Sequence, residues 1–415
     1  MSDLPTGNAA IGQSGGPTAV INQSLVGVVE GLQKGLVASG TVKQILGMRH
    51  GVRGIAKDGG DLVDLTAMPA KTLEAVAQTP SAALGSTRDK PDEEYCAQIL
   101  QAAARTTSAT SSISAATIPP TPAESARRAA RAGYEMRCFH VPKTIDNDLK
   151  ENDHTPGFAS AARFVTLAHM GDALDNASLG GIKINVVMGR QAGFLTAAAS
   201  LARGCRETDK DAAKRPAPHL IYVPEVPFVM DHFLHDVDRV YSALGRCQIA
   251  VSEGIRDADG NEIGPQLMRS GEVDAHGNVQ LSGSGALGDG LADAVKKALT
   301  PAGGKAPRVR ADTFGYLQRC WPATSSVDAM EARGVGRHAA KLAADGDAGA
   351  SITIIRTSNV PGDYRSEFGR ADLSAVARHA RHMPEDFSDD GNNISAVFYD
   401  YCHPLVGELP TFGKL

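Results

Sequence analysis

Residues 182–202 read IKINVVMGRQAGFLTAAASLA. The first seven, Ile182–Met188, form a short apolar run, Gly189 and Arg190 supply a turn, and Ala192–Ala202 is an Ala-rich, helix-like stretch. A short apolar run closed by glycine reads as a buried strand. A strand that passes through such a turn into a helix is the repeating unit of a parallel sheet covered by helices. His219–Val223 (HLIYV) and Gln248–Ser252 (QIAVS) repeat the pattern. The expectation is an α/β fold with mainly parallel sheets and helices on both faces. Ligands of such folds collect at the carboxyl ends of the strands, so the turns after the apolar runs are where chemistry is sought.

Composition narrows the function. The 415 residues suffice for two or three domains, each with its own core. With 42% hydrophobic and 21% charged residues the chain reads as a soluble globular protein. A net charge of -5, with both signs spread along the chain, argues against a nucleic-acid partner. It leaves room for local Arg and Lys clusters that bind phosphate. Six cysteines are scattered with no C-x-x-C pair, so a zinc or redox motif is not expected and a reducing compartment is. The opening MSDLPTGNAA has neither a basic nor an apolar signal region, and no apolar run approaches 18 residues. A cytoplasmic protein with no membrane partner is expected.

Six motifs carry chemistry. Gly12-Gln13-Ser14-Gly15-Gly16-Pro17-Thr18 precedes a helix near Ala19. Adjacent glycines let backbone N–H groups approach an anion, and a helix N-terminus adds a favourable dipole. Such turns also occur for purely structural reasons. Arg88, in Gly85-Ser86-Thr87-Arg88, is a candidate cation for a transferring phosphoryl group. Pro142-Lys143-Thr144-Ile145-Asp146-Asn147-Asp148 places two carboxylates two residues apart beside a lysine. One carboxylate can accept a hydroxyl proton while the other helps hold Mg²⁺. Met188-Gly189-Arg190 offers a close backbone approach and a planar guanidinium fork. Pro224-Glu225-Val226-Pro227 presents a carboxylate suited to sugar hydroxyls. Arg310 and Gly315-Tyr316-Leu317-Gln318-Arg319 bring two guanidiniums and a phenol within ten residues.

Taken in order, this series resembles the phosphofructokinase family, in its pyrophosphate-dependent branch, over essentially the whole chain. The resemblance implies two similar α/β sandwich domains with the active site in the cleft. It implies a phosphoryl-donor domain over 1–158, joined by a later segment at about 311–375, and a sugar-phosphate domain over 159–310 with the C-terminal remainder. Asp146 would take the proton of the fructose 6-phosphate 1-hydroxyl, and Asp148 would support Mg²⁺. Thr144, Ile145 and Asp146 would line the sugar site. Met188, Gly189 and Arg190 would hold the sugar phosphate, and Glu225 the sugar hydroxyls. Arg310, Tyr316 and Arg319 would grip the 6-phosphate. Gly15, Arg88 and Lys143 would face pyrophosphate. A homo-oligomer, dimer or tetramer, is implied because neighbouring subunits share sugar-phosphate contacts in this family. Lys143 stands where ATP-using relatives usually carry glycine. An ammonium there can neutralise a compact diphosphate, and its bulk intrudes where a nucleotide would extend. An ATP-dependent kinase is the alternative that this lysine disfavours.

One feature departs from the family. Its members carry a G-G-[DN]-[DG]-S turn before PKTIDND, after an aromatic-rich strand, and that turn supplies a second metal ligand. Here the window at 114–118 reads SAATI, inside the Ser/Thr/Ala/Pro-rich segment 104–125. On composition this segment is a loop or linker. Read with the frame shifted by two bases, permitted codons for Arg105–Ser125 spell HDIRYFFYIGGNDSADT, which restores both the aromatic strand and the turn. Two compensating frameshifts, near 103–105 and 125–127, are therefore expected, either in the recorded sequence or in the gene. If the chain is literal, a catalytically impaired or regulatory protein of the same fold is the alternative. Tryptic mass spectrometry decides the first point. If the frameshifts lie in the recorded sequence, the peptide running from Thr106 to Arg127 as written is expected to be absent, and its detection would rule out a sequencing error.

Overall fold

The computed structural model describes residues 6–56, 60–89, 92–106, 136–206, 208–267, 285–358, 360, 362–377 and 380–413. Its main elements are β1 (Gly7–Gly12), α1 (Ile21–Leu32), β2 (Val42–Met48), β3 (Leu62–Asp64), α2 (Ala70–Ala77), α3 (Glu93–Thr106), β4 (Cys138–His140), α4 (Phe158–Leu179) and β5 (Gly181–Val187). There follow β6 (Leu220–Tyr222), α5 (Met230–Leu244), β7 (Arg246–Ser252), α6 (Ala286–Leu299), β8 (Val309–Thr313), α7 (Ser326–Ala344), β9 (Gly349–Ser358), β10 (Arg365–Ala371) and α8 (Ala396–Val406). The chain divides into two compact units. The first holds Met1–Ile145, Leu149–Ser160 and Arg319–Ala380; the second holds Asp146–Asp148, Ala161–Gln318 and Arg381–Leu415.

In the second unit β6, β7, β5 and β8 form one sheet in that order. All its pairings are parallel, with Ile184 beside Ile249 and Ala311, and Ile221 beside Ala250. Strands covered on both faces need apolar residues on both, which is why these runs are near-continuous rather than alternating. Ile182, Ile184, Val186, Leu220, Ile249 and Val251 are buried with Phe233 and Val237 of α5 and Leu291 and Val295 of α6. The three apolar runs expected to be strands are β5, β6 and β7. The helix-like stretch after β5 is shorter than its alanine content suggests. It makes one α turn, Phe194–Ala197, then tightens to a 3₁₀ helix over Ala198–Arg203 and stops at left-handed Gly204.

In the first unit β1 pairs parallel to β2, and β3 antiparallel to β2. A second sheet runs β10-β9-β4, with β4 parallel and β10 antiparallel to β9. In the same unit α1 buries ten residues, among them Asn22, Gln23 and Ser24. Its neighbour α7 comes so close that a Cβ built on Gly27 would lie 2.1 Å from the Arg333 carbonyl oxygen, and one on Gly336 2.3 Å from that of Ser24. The two helices therefore touch backbone to backbone.

Residues 104–106 complete α3, because the alanine run Ala102–Ala104 continues the helix rather than starting a linker. The rest of the anomalous segment, from 107 on and including 114–118, lies outside the described residues. No helix among the described residues is long and apolar enough to cross a membrane. No disulfide joins the six cysteines among the described residues, and Cys96, Cys138, Cys247 and Cys402 are buried.

Gly27→Ala tests the helix contact. Alanine is the better helix former, yet the added methyl has no room, so a net loss of about 1–3 kcal/mol is expected in urea unfolding. A neutral or stabilised variant would show that α1 and α7 are not in backbone contact.

Candidate functional site

In the first unit the glycine-rich turn follows β1 directly. Gly15 takes φ +75°, a left-handed conformation that side chains rarely adopt. Its N–H donates to the Thr87 carbonyl (2.8 Å), and the Gly15 carbonyl accepts from Ser86 Oγ (2.6 Å). Buried Gln13 fixes the turn from inside: its Nε2 donates to Asn22 Oδ1 (2.9 Å) and its Oε1 accepts from Leu84 N–H (2.9 Å). Asn22 Oδ1 also accepts from Ala83 N–H (2.9 Å), and Asn22 Nδ2 donates to the Thr79 carbonyl (2.8 Å). Two polar side chains thus tie the 79–87 loop to the turn. Arg88 at its end is exposed. The next residue, Asp89, pairs with Arg53. That pairing, helped by the Thr87 and Tyr95 hydroxyls, holds the Asp89 carboxyl down at about 2.

Two cations meet the same turn. Lys143 Nζ donates to the Gly16 carbonyl (2.8 Å) and lies 3.1 Å from where a Gly15 Cβ would be. The Arg319 guanidinium carbon lies 3.1 Å from where a Gly16 Cβ would be. The bare glycine pair is what admits both. Thr144 forms a parallel bridge with Gly157 and its carbonyl accepts from Thr155 Oγ1 (2.9 Å). Ile145 is buried.

In the second unit Asp146 and Asp148 are half-buried and flank Asn147, which is fully buried at φ +58°. Asn147 Nδ2 donates to the Tyr401 hydroxyl (2.8 Å), as does Arg381 Nη2 (3.3 Å). Arg381 N–H in turn donates to the Asp148 carbonyl (2.6 Å), and its guanidinium lies over the Phe194 ring at 4.7 Å. Tyr401 on α8 and Arg381 therefore fix the backbone of the two-carboxylate motif.

Met188, Gly189 and Arg190 leave the carboxyl end of β5. Gly189 takes φ +129° and its carbonyl accepts from Ser252 Oγ (2.6 Å). Arg190 is exposed, with Nε 4.0 Å from buried Glu253. Glu225 Oε1 accepts from the N–H groups of Gly193 (2.9 Å) and Met383 (3.0 Å). Its Oε2 is buried without a hydrogen-bond partner among the described residues. Burial pushes the Glu225 carboxyl above its ordinary range, and the two backbone N–H groups offset only part of that.

The last motif is divided. Arg310 is the second residue of β8, exposed, with its guanidinium on the Val309 carbonyl (3.0 Å). Tyr316 lies beyond the carboxyl end of β8 and is exposed. Arg319 belongs to the first unit, beside Gly16. The motifs gave Gln13 no role of its own, and Asn22, Arg381, Met383 and Tyr401, which also hold the turns, lie outside them. Only the buried polar pair Gln13 and Asn22, either side of a glycine turn, carried a signal.

Two α/β units with glycine-bearing turns at the ends of their first and central strands define a phosphofructokinase-like fold. The chain belongs to the phosphofructokinase family, whose family model matches residues 8–343. It is 46% identical over 404 residues to the pyrophosphate–fructose 6-phosphate 1-phosphotransferase of Rhodospirillum rubrum, covering 97% of this chain and 94% of that one. The Xanthomonas campestris pv. campestris enzyme of the same name is 34% identical, over 98% of this chain and 93% of its own. A crystal structure of a pyrophosphate-dependent phosphofructokinase from Marinobacter aquaeolei superposes with a TM-score of 0.80 at 29% identity, covering 98% of this chain and 94% of that one.

Tyr401→Phe removes the hydroxyl that accepts from Asn147 and Arg381 and keeps the ring. A loss of roughly 1–2 kcal/mol is expected in urea unfolding. No loss would mean that the hydroxyl does not hold the motif.

Proposed function

We propose that this protein transfers a phosphoryl group from pyrophosphate to the 1-hydroxyl of fructose 6-phosphate, reversibly, giving fructose 1,6-bisphosphate and inorganic phosphate. The observation that carries the donor assignment is the convergence of Lys143 and Arg319 on the Gly15–Gly16 turn. Two cations against bare backbone suit a small, highly charged diphosphate better than a nucleotide, whose base and sugar need apolar room. The first unit is then the donor unit and the second the sugar-phosphate unit.

In this reading Gly15, Arg88 and Lys143 bind pyrophosphate, with Arg319 adding positive charge beside Gly16. Thr144 and Ile145 line the sugar site. Glu225 accepts sugar hydroxyls, for which its unpartnered buried Oε2 is suited. Met188, Gly189, Arg190, Arg310 and Tyr316 serve the sugar phosphate, in a homo-oligomer whose subunits share some of these contacts. Asp146 takes the proton as the 1-oxygen attacks phosphorus; the bridging P–O bond breaks and inorganic phosphate departs. Asp148 offers hard carboxylate oxygens, the donors that Mg²⁺ uses beside substrate phosphates and water, and would help to hold the ion. When bound, Mg²⁺ neutralises charge on the transferring phosphates. The setting is cytoplasmic glycolysis or gluconeogenesis.

The composition of 104–125 favours a second reading, an impaired or regulatory protein, should the recorded chain be literal. A coupled assay with Mg²⁺ and fructose 6-phosphate separates the two. Pyrophosphate is expected to support turnover and ATP is not; a pure, folded protein inert with both would favour the second reading. Asp146→Ala is expected to lower kcat by about 10²–10⁴-fold. Lys143→Gly is expected to raise use of ATP relative to pyrophosphate, and an unchanged ratio would remove the lysine from donor choice.

A further inference from the structure

His154 belongs to none of the motifs above, yet it is wholly buried and both its ring nitrogens face carboxylates. Nε2 lies 2.6 Å from Glu331 Oε2 and Nδ1 2.7 Å from Asp153 Oδ2. An ionised carboxylate only accepts, so both nitrogens must donate, and only an imidazolium can do that. The carboxylates are themselves anchored. Asp153 Oδ2 also accepts from Arg356 Nε (3.2 Å) and Nη2 (3.1 Å), while Glu331 Oε1 accepts from the Tyr364 and Ser366 hydroxyls, each at 2.5 Å. The charged and titratable groups facing the ring are thus Asp153 beside it, Glu331 and Asp328 from α7, Arg356 from β9, and Tyr364 ahead of β10.

This cluster sits at the root of one turn. Asp153 N–H donates to the Ile354 carbonyl (2.9 Å), and Asn152 Oδ1 accepts from Ile354 N–H (3.0 Å). The residue after His154, Thr155, donates to the Thr144 carbonyl, and Gly157 bridges Thr144. Asp328 closes the far side by accepting from Gly157 N–H (2.8 Å) and Ser160 N–H (2.9 Å). Thr144 is two residues ahead of Asp146 in the chain.

We propose that His154 is a positioning residue for phosphoryl transfer: clasped between Asp153 and Glu331, it fixes the 152–157 turn, which clamps Thr144 and so sets where the Thr144–Asp148 loop begins. The inference rests on the functional reading above, because it gives that loop a reaction to serve. Burial alone would push the imidazole towards neutrality, but Glu331 and Asp153 outweigh it and raise its pKa to about 9. Below its ordinary pKa near 6.5 the ring is charged whether the chain is folded or not, and the ion-pair stabilisation is fully present. That stabilisation declines as pH rises and is lost through the folded value of about 9.

His154→Gln in the full chain tests this by two independent routes. The first is amide hydrogen exchange at neutral pH. Exchange across residues 142–150 is expected to accelerate about tenfold while α7 keeps its protection, the sign of a local release. The second is kinetics. Here kcat is expected to fall about tenfold, with KM for pyrophosphate and fructose 6-phosphate within roughly threefold of wild type, and the alkaline decline of kcat near pH 9 is expected to vanish. A purely structural role would lower thermal stability and leave both the kcat-to-KM split and the pH profile as they are. If His154→Gln does not fold, Glu331→Gln, which keeps its acceptor oxygen for Tyr364 and Ser366, takes its place with the same readouts. Unchanged exchange at 142–150 overturns the inference, and so does wild-type kcat in the variant. A wild-type protein that transfers nothing from pyrophosphate defeats the functional reading instead, and the exchange result still judges the clamp.

Discussion

A turn that carries ligand-binding backbone into a folded unit must satisfy its own N–H and carbonyl groups without helix or sheet partners. In this protein that constraint is met by buried polar side chains from elsewhere in the same unit. Gln13 and Asn22 hold the loop that faces the glycine-rich turn. Glu225 captures the N–H groups of Gly193 and Met383, which are far apart in the chain. Asp328 captures those of Gly157 and Ser160 at the start of α4. Each acceptor would be costly to leave unmatched, so each pair defines one geometry of its turn. The glycines then do the rest, by leaving room for cations or for another backbone.

Burial acts on the ionisable groups in opposite directions according to what they face. His140 and His154 are both buried in the first unit. His140 meets the Ser351 hydroxyl (2.8 Å), and burial followed by the Lys143 charge lowers its pKa to about 4, so it is neutral. His154 meets two carboxylates and is charged. Among the acids, Glu225 and Asp328 face N–H groups and are pushed up by burial, whereas Asp153 and Glu331, also desolvated, are pulled down by His154 and, for Asp153, by Arg356. In the first unit the His154 charge is thus met by Asp153 and Glu331 at the root of the 152–157 turn, while Lys143 and Arg319 lie beside the glycine pair.

Three of the four strands of the second unit's parallel sheet could be read from IKINVVM, HLIYV and QIAVS, because burial on both faces favours an apolar run; β8, VRADT, is half exposed and carries none. The glycine-rich and two-carboxylate motifs were equally plain, since both depend on residue types at fixed spacing. The short helix after β5 was not, because alanine content speaks for helix while Gly193, drawn to Glu225, and left-handed Gly204 shorten it. Nor was the support around the motifs. Tyr401 lies more than 250 residues from Asn147, and Glu331 177 residues from His154. A tyrosine and a glutamate on amphipathic helices carry no local mark of such a role. That Arg310 and Arg319 belong to different units was hidden for a similar reason, since they are only nine residues apart in sequence.

The backbone contact between α1 and α7 has a consequence for how the protein is made. α1 is complete at Leu32, but α7 does not begin until Ser326. At a synthesis rate of roughly 5–20 residues per second, the ribosome needs on the order of 15–60 s to deliver the second helix after the first. All four strands of the second unit's parallel sheet emerge inside that interval. The nascent N-terminus, with its buried apolar face still uncovered, must wait for a partner while a later part of the chain assembles first, and it is there that a chaperone would find the most to hold.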